Sequence, residues 1–475
     1  MNLVAHFPIF TRIVKLIKQY LPLRLWLLLA LYLLLNNGFF WLANMQVHSQ
    51  RYIIVLEYVW ILPLLCLRRR WSLILFTIAY TGIYIFDILY WVKQFYHYDN
   101  LAEFVELLYF IPEAPKLYWQ FIALFVCNLI LSLFLILKFV VRLASVKMIV
   151  PMALLYLVFS AFFYDYRGVD LSDRYQTVGW WGSYYEVIQN RRFNMEFFWL
   201  GTVKPDFYDW PHGGVLQKQI DMQHPPKKIL FVLNESWGVF TPDHGSINVS
   251  VVAPLLDVAN VQLVAQGENP ALHSTIMGEI RELCDLKAKS SNFSLGPWDK
   301  FKQCVPNKLQ QQGYNIQSFH ASFAKMYNRK DWYPYMGLNH THFYPKLSNI
   351  QRCFSFAGAC DFNVVHDVSA ANKSATDKSF VYWLTLNSHH PYDKRDILSY
   401  AYDCKQPLFE GRQEACRNLN LQHQFFRALA DEIKAGGFKD TEIVIVGDHS
   451  PPIMLDKYKD SFKPDSVPFI HVRVH

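Results

Sequence analysis

The chain has 475 residues, of which 52% are hydrophobic and only 18% are charged, whereas an average soluble domain carries about 25% charged residues. This composition excludes a disordered or collagen-like chain. The net charge of +7 does not indicate a nucleic-acid partner, because basic residues beside apolar segments are expected from membrane topology alone. Only His6, His48 and His97 of the 17 histidines precede residue 170. We therefore expect an apolar membrane anchor followed by a soluble, histidine-rich domain.

Five apolar segments in the first 166 residues are candidates for membrane-spanning helices. A helix needs about 20 residues to cross about 30 Å of hydrocarbon. The segments run over Leu25–Ala43, Tyr52–Leu67, Ser72–Val92, Phe121–Val141 and Met148–Phe163. The second and fifth are short, so an interfacial or buried helix is the alternative for each. A polar, basic segment precedes the first apolar run, which is unlike a cleavable signal peptide.

Charged residues beside the spans predict the orientation, because loops rich in lysine and arginine stay in the cytoplasm. Basic clusters precede span one, join spans two and three, and join spans four and five: Arg12, Lys15, Lys18, Arg24; Arg68, Arg69, Arg70; Lys138, Arg142, Lys147. The long loop over residues 93–120 carries acidic residues instead. This alternation predicts a cytoplasmic N-terminus and, after five spans, an extracytoplasmic position for everything beyond about Asp165. An even number of spans would reverse that position.

The cysteines outside the predicted spans indicate an oxidising compartment. These six are Cys284, Cys304, Cys353, Cys360, Cys404 and Cys416. An even number of cysteines predicts disulfides there. Of the 15 possible pairings, the one that joins neighbours along the chain (284 to 304, 353 to 360 and 404 to 416) closes three short loops. Zinc binding is the alternative, although no Cys-x-x-Cys pair occurs.

An aromatic and basic segment over residues 180–199 connects the two halves of the chain. Such residues suit the headgroup layer of a membrane, and ordinary packing under the next domain is the alternative. We predict a transmembrane domain over residues 1–166, a juxtamembrane interfacial linker over 167–225 and an extracytoplasmic catalytic domain over 226–475.

Beyond residue 226, short apolar runs alternate with helix-like segments, a pattern that predicts βαβ units around a mainly parallel sheet. Three runs, at residues 228–233, 380–386 and 442–446, lead into polar residues. These are Asn234, Glu235 and Ser236; His389 and His390; and Gly447, Asp448 and His449. In a parallel sheet, ligands bind at the carboxyl ends of the strands. Residues more than 200 apart in sequence are therefore expected to converge on one site.

The residue types at these strand ends suit a divalent metal. Two carboxylates and an imidazole favour zinc or manganese and leave a coordination position open. A metal with an open position can bind a hydroxyl group and lower its pKa. Ser274 and Thr275 lie where a loop enters a predicted helix, whose first-turn amides are placed to hold a phosphoryl group. A helix N-cap is the structural alternative for this pair.

The order and local sequence of these elements resemble the alkaline phosphatase and sulfatase superfamily. Within it, the chain is similar to the membrane-anchored phosphoethanolamine and phosphoglycerol transferases, such as the lipoteichoic acid synthases. The most specific motif is Val446-Gly-Asp-His-Ser-Pro-Pro452, which is similar to the family's Gly-Asp-His-Gly box. The resemblance implies a helical membrane domain and an α/β sulfatase-like catalytic domain. It further implies that Glu235, Asp448 and His449 are metal ligands and that Thr275 is a metal-bound nucleophile.

Two further segments carry the resemblance. Asn387-Ser-His-His-Pro-Tyr392 is similar to the family's His-x-Pro-Tyr segment, which implies that His389 lies near the phosphoryl group. Ser318-Phe-His-Ala321 resembles a segment whose histidine, here His320, contacts the substrate. Arg329 is then a candidate contact of the headgroup or phosphate.

The chain also lacks motifs that mark two relatives in this superfamily. Sulfatases need a Cys/Ser-x-Pro-x-Arg motif at the nucleophile, and it is absent at Thr275. Cys304-Val-Pro-Asn-Lys308 has lysine in place of arginine and lies downstream. The Asn-Thr-Pro-Cys-like context of the lipid A transferases is also absent. We therefore do not expect sulfatase activity, and lipid A is weakened as the acceptor.

The resemblance implies that the protein transfers a phosphoethanolamine or phosphoglycerol headgroup from a membrane phospholipid to a glycan or glycolipid hydroxyl. The intermediate would be a phospho-threonine at Thr275, with His389 stabilising charge or moving a proton and His320 supporting it. The implied location is a bacterial inner membrane, with the catalytic domain periplasmic. Two alternatives stay open: a phosphodiesterase or phosphatase with water as acceptor, and an inactive lipid-binding regulator.

Overall fold

A computed structural model describes residues 23–47, 54–93, 116–144, 181–182 and 205–475, except 244, 289–292, 294–295, 345, 348–350, 357 and 376. The chain divides into two units, residues 1–96 with 119–195 and residues 97–118 with 196–475. The fifth predicted span and most of the predicted linker lie outside the described residues. The predicted domain boundaries stay predictions.

Three described helices of the N-terminal region are long and apolar enough to cross a membrane, over Leu25–Ala43, Arg70–Val92 and Tyr118–Leu143. They coincide with the first, third and fourth predicted spans. The elements of this region are α1 (Leu23–Val47), β1 (Ile54–Val55), α2 (Leu56–Trp60), α3 (Leu62–Cys66), α4 (Arg70–Lys93), α5 (Lys116–Leu135), a π-helical turn (Ile136–Val140), α6 (Val141–Leu143) and β2 (Trp181–Gly182). Strands β1 and β2 pair in parallel.

The second predicted span differs from a continuous transmembrane helix. It forms the two five-residue helices α2 and α3, which are separated at Ile61. Pro63 lies in the first turn of α3. Proline is tolerated there, because the N–H groups of a first turn have no helical partner, and it favours the start of a new helix at this point. Even as one continuous helix, Leu56–Cys66 would extend only about 16 Å, which is less than the hydrocarbon thickness. The total of five spans and the orientation stay predictions.

The second unit is built around a seven-stranded sheet in the order β5-β11-β10-β4-β9-β7-β8. The pairs β10–β4, β4–β9, β9–β7 and β7–β8 are parallel, and β11 is antiparallel to both β10 and β5. The predicted mainly parallel sheet is therefore confirmed. The strands are β3 (Phe207–Asp209), β4 (Lys228–Asn234), β5 (Val261–Pro270), β6 (Leu286–Ala288), β7 (Asn315–Phe323), β8 (Thr341–Tyr344), β9 (Ser379–Leu384), β10 (Thr441–Gly447) and β11 (Ser466–Val474).

Helices cover both faces of this sheet, because strands with two apolar faces must be buried on both sides. The helices are α7 (Val215–Gln219), α8 (Ser246–Leu256), α9 (Thr275–Cys284), α10 (Val305–Gln311), α11 (Arg329–Trp332), α12 (Asp361–Ser374) and α13 (Gln413–Lys434). One apolar cluster joins Leu230 and Val232 of β4 to α8, α12 and α13. The other joins Phe231 and Leu233 to α7, α9 and α10. Alternate residues of one strand thus face opposite layers.

Three disulfides join the six cysteines of this unit in sequential order. They link Cys284 to Cys304, Cys353 to Cys360 and Cys404 to Cys416. The predicted pairing scheme is confirmed. Because Cys304 is bonded to the last residue of α9, it is also not available as the modified cysteine of a sulfatase motif.

Candidate active site

Glu235, Asp448 and His449 form a buried cluster at the carboxyl ends of β4 and β10. One ligand atom from each lies within 4.8 Å of the others. His449 Nε2 lies 3.6 Å from Glu235 Oε1 and 3.3 Å from Asp448 Oδ2. The strands are adjacent and parallel, with Gly447 in register with Asn234. The shared sheet edge therefore brings together residues that are more than 200 positions apart.

The turn after β4 holds the Glu235 carboxylate toward this cluster. Ser236 has a left-handed backbone with φ of 49°, a conformation that non-glycine residues adopt rarely and mostly at functional turns. Its N–H donates to Asp448 Oδ1 at 2.7 Å and its hydroxyl donates to Glu235 Oε1 at 2.8 Å. The Glu235 N–H donates to Thr385 Oγ1 at 2.8 Å. Ser236 thus donates to both carboxylates, and Thr385, just beyond β9, holds the backbone of Glu235.

The atoms that face the centre of the cluster fit a divalent cation. Asp448 Oδ1 accepts N–H bonds from Ser236 and His449, whereas Asp448 Oδ2 is buried and accepts no hydrogen bond. His449 Nδ1 lies 3.0 Å from the carbonyl oxygen of Ser450, which favours the tautomer with the hydrogen on Nδ1 and makes Nε2 the ligand atom that faces the carboxylates. Burial, together with the nearby Glu235 carboxylate, raises the pKa of Asp448 to about 7. Converging acceptor atoms in a buried site are compensated by a bound cation.

Thr275 begins helix α9 beside the cluster. Its hydroxyl donates to Glu235 Oε2 at 3.2 Å, and Ser274 is the N-cap residue in extended conformation. The Ser274 side chain makes no capping hydrogen bond, so capping does not explain this pair. The nucleophile predicted from the sequence therefore meets the predicted metal ligands at the N-terminus of a helix, where unpaired N–H groups favour an anion.

Helix α9 packs against the Asp448 backbone through Gly278. A Cβ atom at this position would lie 3.1 Å from the Cα and carbonyl oxygen of Asp448. Gly447 is confined more tightly, since its Cβ would lie 2.1 Å from the carbonyl oxygen of Trp237. Glycine at position 278 lets α9 approach the loop after β10, and glycine at position 447 lets the end of β10 approach the turn after β4.

His389 follows β9 at the same sheet edge. Its Nδ1 lies 2.6 Å from the His390 carbonyl oxygen, and its ring packs on Phe356 with centroids 4.5 Å apart. Burial lowers the pKa of His389 to about 4, and the ring interacts electrostatically with His449 and Asp448. His389 is therefore neutral at pH 7. Its Nδ1–H donates to the His390 carbonyl oxygen, and its Nε2 carries a lone pair.

The structure places His320 and Arg329 in a buried network. Arg329 is 1% exposed and its Nη2 lies 2.9 Å from Glu279 Oε2, while its Nη1 lies 3.3 Å from His320 Nε2. The other Glu279 oxygen accepts hydrogen bonds from the hydroxyls of Tyr333 and Tyr382. Burial and then the Arg329 cation lower the pKa of His320 well below its ordinary value. The guanidinium of Arg329 is paired with the Glu279 carboxylate, and the role of Arg329 as a substrate contact stays a prediction.

Sequence reasoning missed two charged residues of α9, Glu279 and Arg281. Both are 0% exposed, and Arg281 donates to the carbonyl oxygens of Asp448 and Gly447. The amphipathic pattern of a short helix does not reveal that its polar face is also buried. A signal was present, however, because the charged run Arg281–Glu282 interrupts the apolar residues Ile280 and Leu283.

The described site can be compared with known protein families. The model of the Sulfatase family matches residues 284–470. The match includes His320, Arg329, His389, Asp448 and His449, and it begins beyond Glu235 and Thr275. No curated protein sequence matches the chain.

Several solved structures are similar to the chain. The lipoteichoic acid synthase LtaP from Listeria monocytogenes is 16% identical over 52% of this chain and 65% of its own, with a TM-score of 0.36. Streptococcus pyogenes phosphoglycerol transferase GacH is 16% identical over 52% and 68%, with a TM-score of 0.39. The lipooligosaccharide phosphoethanolamine transferase EptA from Neisseria meningitidis is 12% identical over 95% and 88%, with a TM-score of 0.41. All three TM-scores are below 0.5, so the similarity to the Sulfatase family rests on the family model over residues 284–470.

Proposed function

We propose that the protein is a metal-dependent phosphotransferase that moves a phosphoethanolamine or phosphoglycerol headgroup from a membrane phospholipid to a glycan or glycolipid hydroxyl. One observation carries this proposal: the Thr275 hydroxyl donates a hydrogen bond to Glu235, at the edge of the cluster of Glu235, Asp448 and His449. The match of residues 284–470 to the Sulfatase family supports the metal dependence. The apolar helices support a site tethered to a membrane, which raises the effective concentration of a lipid donor.

Glu235, Thr275, Asp448 and His449 would hold a divalent cation, zinc or manganese. When bound, this ion supplies a lower pKa for the Thr275 hydroxyl and stabilises negative charge on the phosphoryl oxygens. In the first step the Thr275 oxygen forms a bond to phosphorus as the bond to the diacylglycerol oxygen breaks. The hydroxyl proton moves to Glu235 Oε2, which already accepts its hydrogen bond, and passes from there to the diacylglycerol oxygen as diacylglycerol leaves.

In the second step an acceptor hydroxyl attacks the same phosphorus and the Thr275–phosphorus bond breaks. The attacking hydroxyl must lose a proton and Thr275 must regain one. Neutral His389 offers a lone pair on Nε2 for that proton, because its Nδ1 hydrogen is held by the His390 carbonyl. We propose His389 as the general base and His320, fixed by Arg329, as a support for the phosphoryl group.

Mass spectrometry of the full chain reconstituted with lipid tests this function. Incubation with phosphatidylethanolamine or phosphatidylglycerol should leave a phosphoethanolamine or phosphoglycerol adduct on Thr275, and Thr275→Ala should carry none. The donor that yields the adduct identifies the headgroup. No adduct on the wild type, or an unchanged adduct on the variant, rejects the mechanism. Release of the headgroup to water at the same rate with and without an acceptor glycan would indicate a hydrolase instead.

The same proposal includes a location. Three disulfides in the second unit favour an oxidising compartment, and the basic loops favour a cytoplasmic N-terminus. We propose that the catalytic domain lies on the periplasmic face of a bacterial inner membrane. There the site would meet phospholipid headgroups and exported glycans.

A further inference from the structure

Arg281 is a fully buried arginine beside the candidate metal cluster that the proposed chemistry does not use. It lies in α9, and its exposed fraction is 0%. Its Nη1 donates to the carbonyl oxygen of Asp448 at 2.9 Å and its Nη2 donates to that of Gly447 at 2.8 Å. These two consecutive carbonyls lead directly into the two metal-ligand side chains.

The charge of Arg281 is neutralised without occupying those donors. Its Nε donates to Glu282 Oε1 at 2.6 Å, and Glu282 Oε2 accepts the Val215 N–H at 2.6 Å. Both side chains are fully buried. Buried ion pairs are often no more stable than apolar residues of the same size. Stability alone is therefore a weak reason for a charged pair at this position.

The planar guanidinium provides something that an apolar residue cannot. Its donors form a rigid fork, so the two carbonyls are held in one orientation relative to α9. Thr275, Gly278 and Arg281 are spaced by three residues and share one face of that helix. Gly278 contacts the Asp448 backbone at its centre. One face of α9 thus carries the proposed nucleophile Thr275, the glycine that contacts the Asp448 backbone, and the guanidinium of Arg281.

We infer that Arg281 is a positioning residue that fixes the loop of Asp448 and His449 against the helix of Thr275. The inference rests on the proposed function, because this positioning matters only if Asp448 and His449 hold a metal that activates Thr275. Loss of the fork allows the strand-end loop to rotate, so the ligand atoms no longer converge. Changes in groups that orient metal ligands typically weaken metal affinity about 10- to 100-fold.

The variant Arg281→Lys keeps the charge on a single ammonium nitrogen but removes the planar fork of donor nitrogens. Arg329→Lys is the matched control, because Arg329 is also buried and paired with a glutamate but contacts neither carbonyl. For the full chain in detergent, Zn²⁺ and Mn²⁺ affinities are measured by competition with a chromophoric chelator. The melting temperature of each metal-free protein and the rate of adduct formation on Thr275 are measured alongside.

We expect Arg281→Lys to bind metal about 10- to 100-fold more weakly than wild type and Arg329→Lys to bind within about twofold of it. A merely structural role would lower the melting temperature of both variants equally and leave the metal affinity of the folded protein unchanged, which overturns the inference. If Arg281→Lys does not fold, the double variant Arg281→Gln/Glu282→Gln replaces it, because it removes both buried charges. The same loss of metal affinity, about 10- to 100-fold, is then expected of the double variant. A wild type that binds no metal overturns the proposed function, and the inference with it. A wild type that binds metal, with variants that bind it equally well, overturns the inference alone.

Discussion

The Thr275 hydroxyl lies 3.2 Å from Glu235 Oε2. The two residues come from different elements, the first position of α9 and the turn after β4. In the proposed mechanism, this hydroxyl loses its proton to this carboxylate and receives the phosphoryl group. The relationship makes Thr275 the most sensitive position for substitution.

Replacing Thr275 separates the hydroxyl from the shape of the side chain. Thr275→Val keeps the branched side chain and removes the nucleophile, so turnover should fall by at least about a thousandfold. Thr275→Ser keeps the hydroxyl and should retain measurable adduct formation. Both rates are measured by headgroup transfer from reconstituted lipid. Equal activity of the valine variant and the wild type would contradict the assignment.

Asp448→Asn tests the metal assignment without changing side-chain size. The amide keeps the oxygen that accepts the Ser236 and His449 N–H groups, but it replaces the unpartnered Oδ2 with an NH₂ group. Metal should then raise the melting temperature of the wild type but not of the variant. At a metal concentration of 100 times the Kd, binding adds about 2.7 kcal/mol to the free energy of unfolding of the wild type.

The metal-free proteins provide the control for this substitution. Because burial raises the pKa of Asp448 to about 7, the buried carboxylate is costly at pH 8. Metal-free Asp448→Asn should therefore be at least as stable as metal-free wild type at that pH. A variant that is less stable without metal, yet is stabilised by metal as the wild type is, would show that Asp448 is structural.

His389 predicts a pH dependence of stability. Its folded-state pKa of about 4 lies below its ordinary value of 6.5, so the unfolded chain takes up a proton first as the pH falls. The stabilisation is complete above about pH 6.5 and is lost toward pH 4, by about 1 kcal/mol per pH unit. His389→Gln should reduce this slope, measured from melting temperatures between pH 4.5 and 7.5. His340→Gln changes an exposed histidine and should leave the slope as in the wild type.

The disulfide at the end of α9 should stabilise the nucleophile helix. Cys284 and Cys304 are separated by 20 residues and both are buried. Closing a loop of that size contributes about 3 kcal/mol to the free energy of unfolding. Cys284→Ala/Cys304→Ala should therefore lower that free energy by about this amount in denaturant titrations. Cys66→Ala/Cys127→Ala, which removes two cysteines outside any disulfide, should have a much smaller effect.

The proposed orientation is tested by reporters fused to the C-terminus. A reporter enzyme that is active only in an oxidising compartment should be active there, and a fluorescent protein that matures only in the cytoplasm should stay dark. The reason is the alternation of basic and acidic loops. The opposite pair of signals would place the catalytic domain in the cytoplasm and indicate an even number of spans.

Much of the fold follows from local sequence. The runs at 228–233, 380–386 and 442–446 correspond to β4, β9 and β10, and Thr275 begins a helix as predicted. These features depend on short-range hydrophobic patterns and helix-start signals, which are local properties. The interrupted second span is different, because proline position and packing rather than average hydropathy decide where a helix stops.

The site required information that no single segment contains. Parallel strands predict that Glu235 and Asp448 share an edge, but not that one Asp448 oxygen is left without a hydrogen-bond donor. Likewise, Arg329 is a reasonable phosphate contact from its sequence, and only packing pairs it with Glu279. A charged side chain has the same local pattern whether it faces water or a buried partner, and the partner comes from a distant element.

The sequence by itself therefore determined the apolar anchor, the α/β pattern, the strand-end residues and an even set of cysteines, because each is a local or compositional property. The tertiary structure decided which side chains converge, which are buried and which protonation states they favour. It decided that Arg281 faces the loop of Asp448 and His449. The physical reason is that hydrophobic periodicity fixes elements one at a time, whereas hydrogen bonding and burial at a site depend on how several elements pack together.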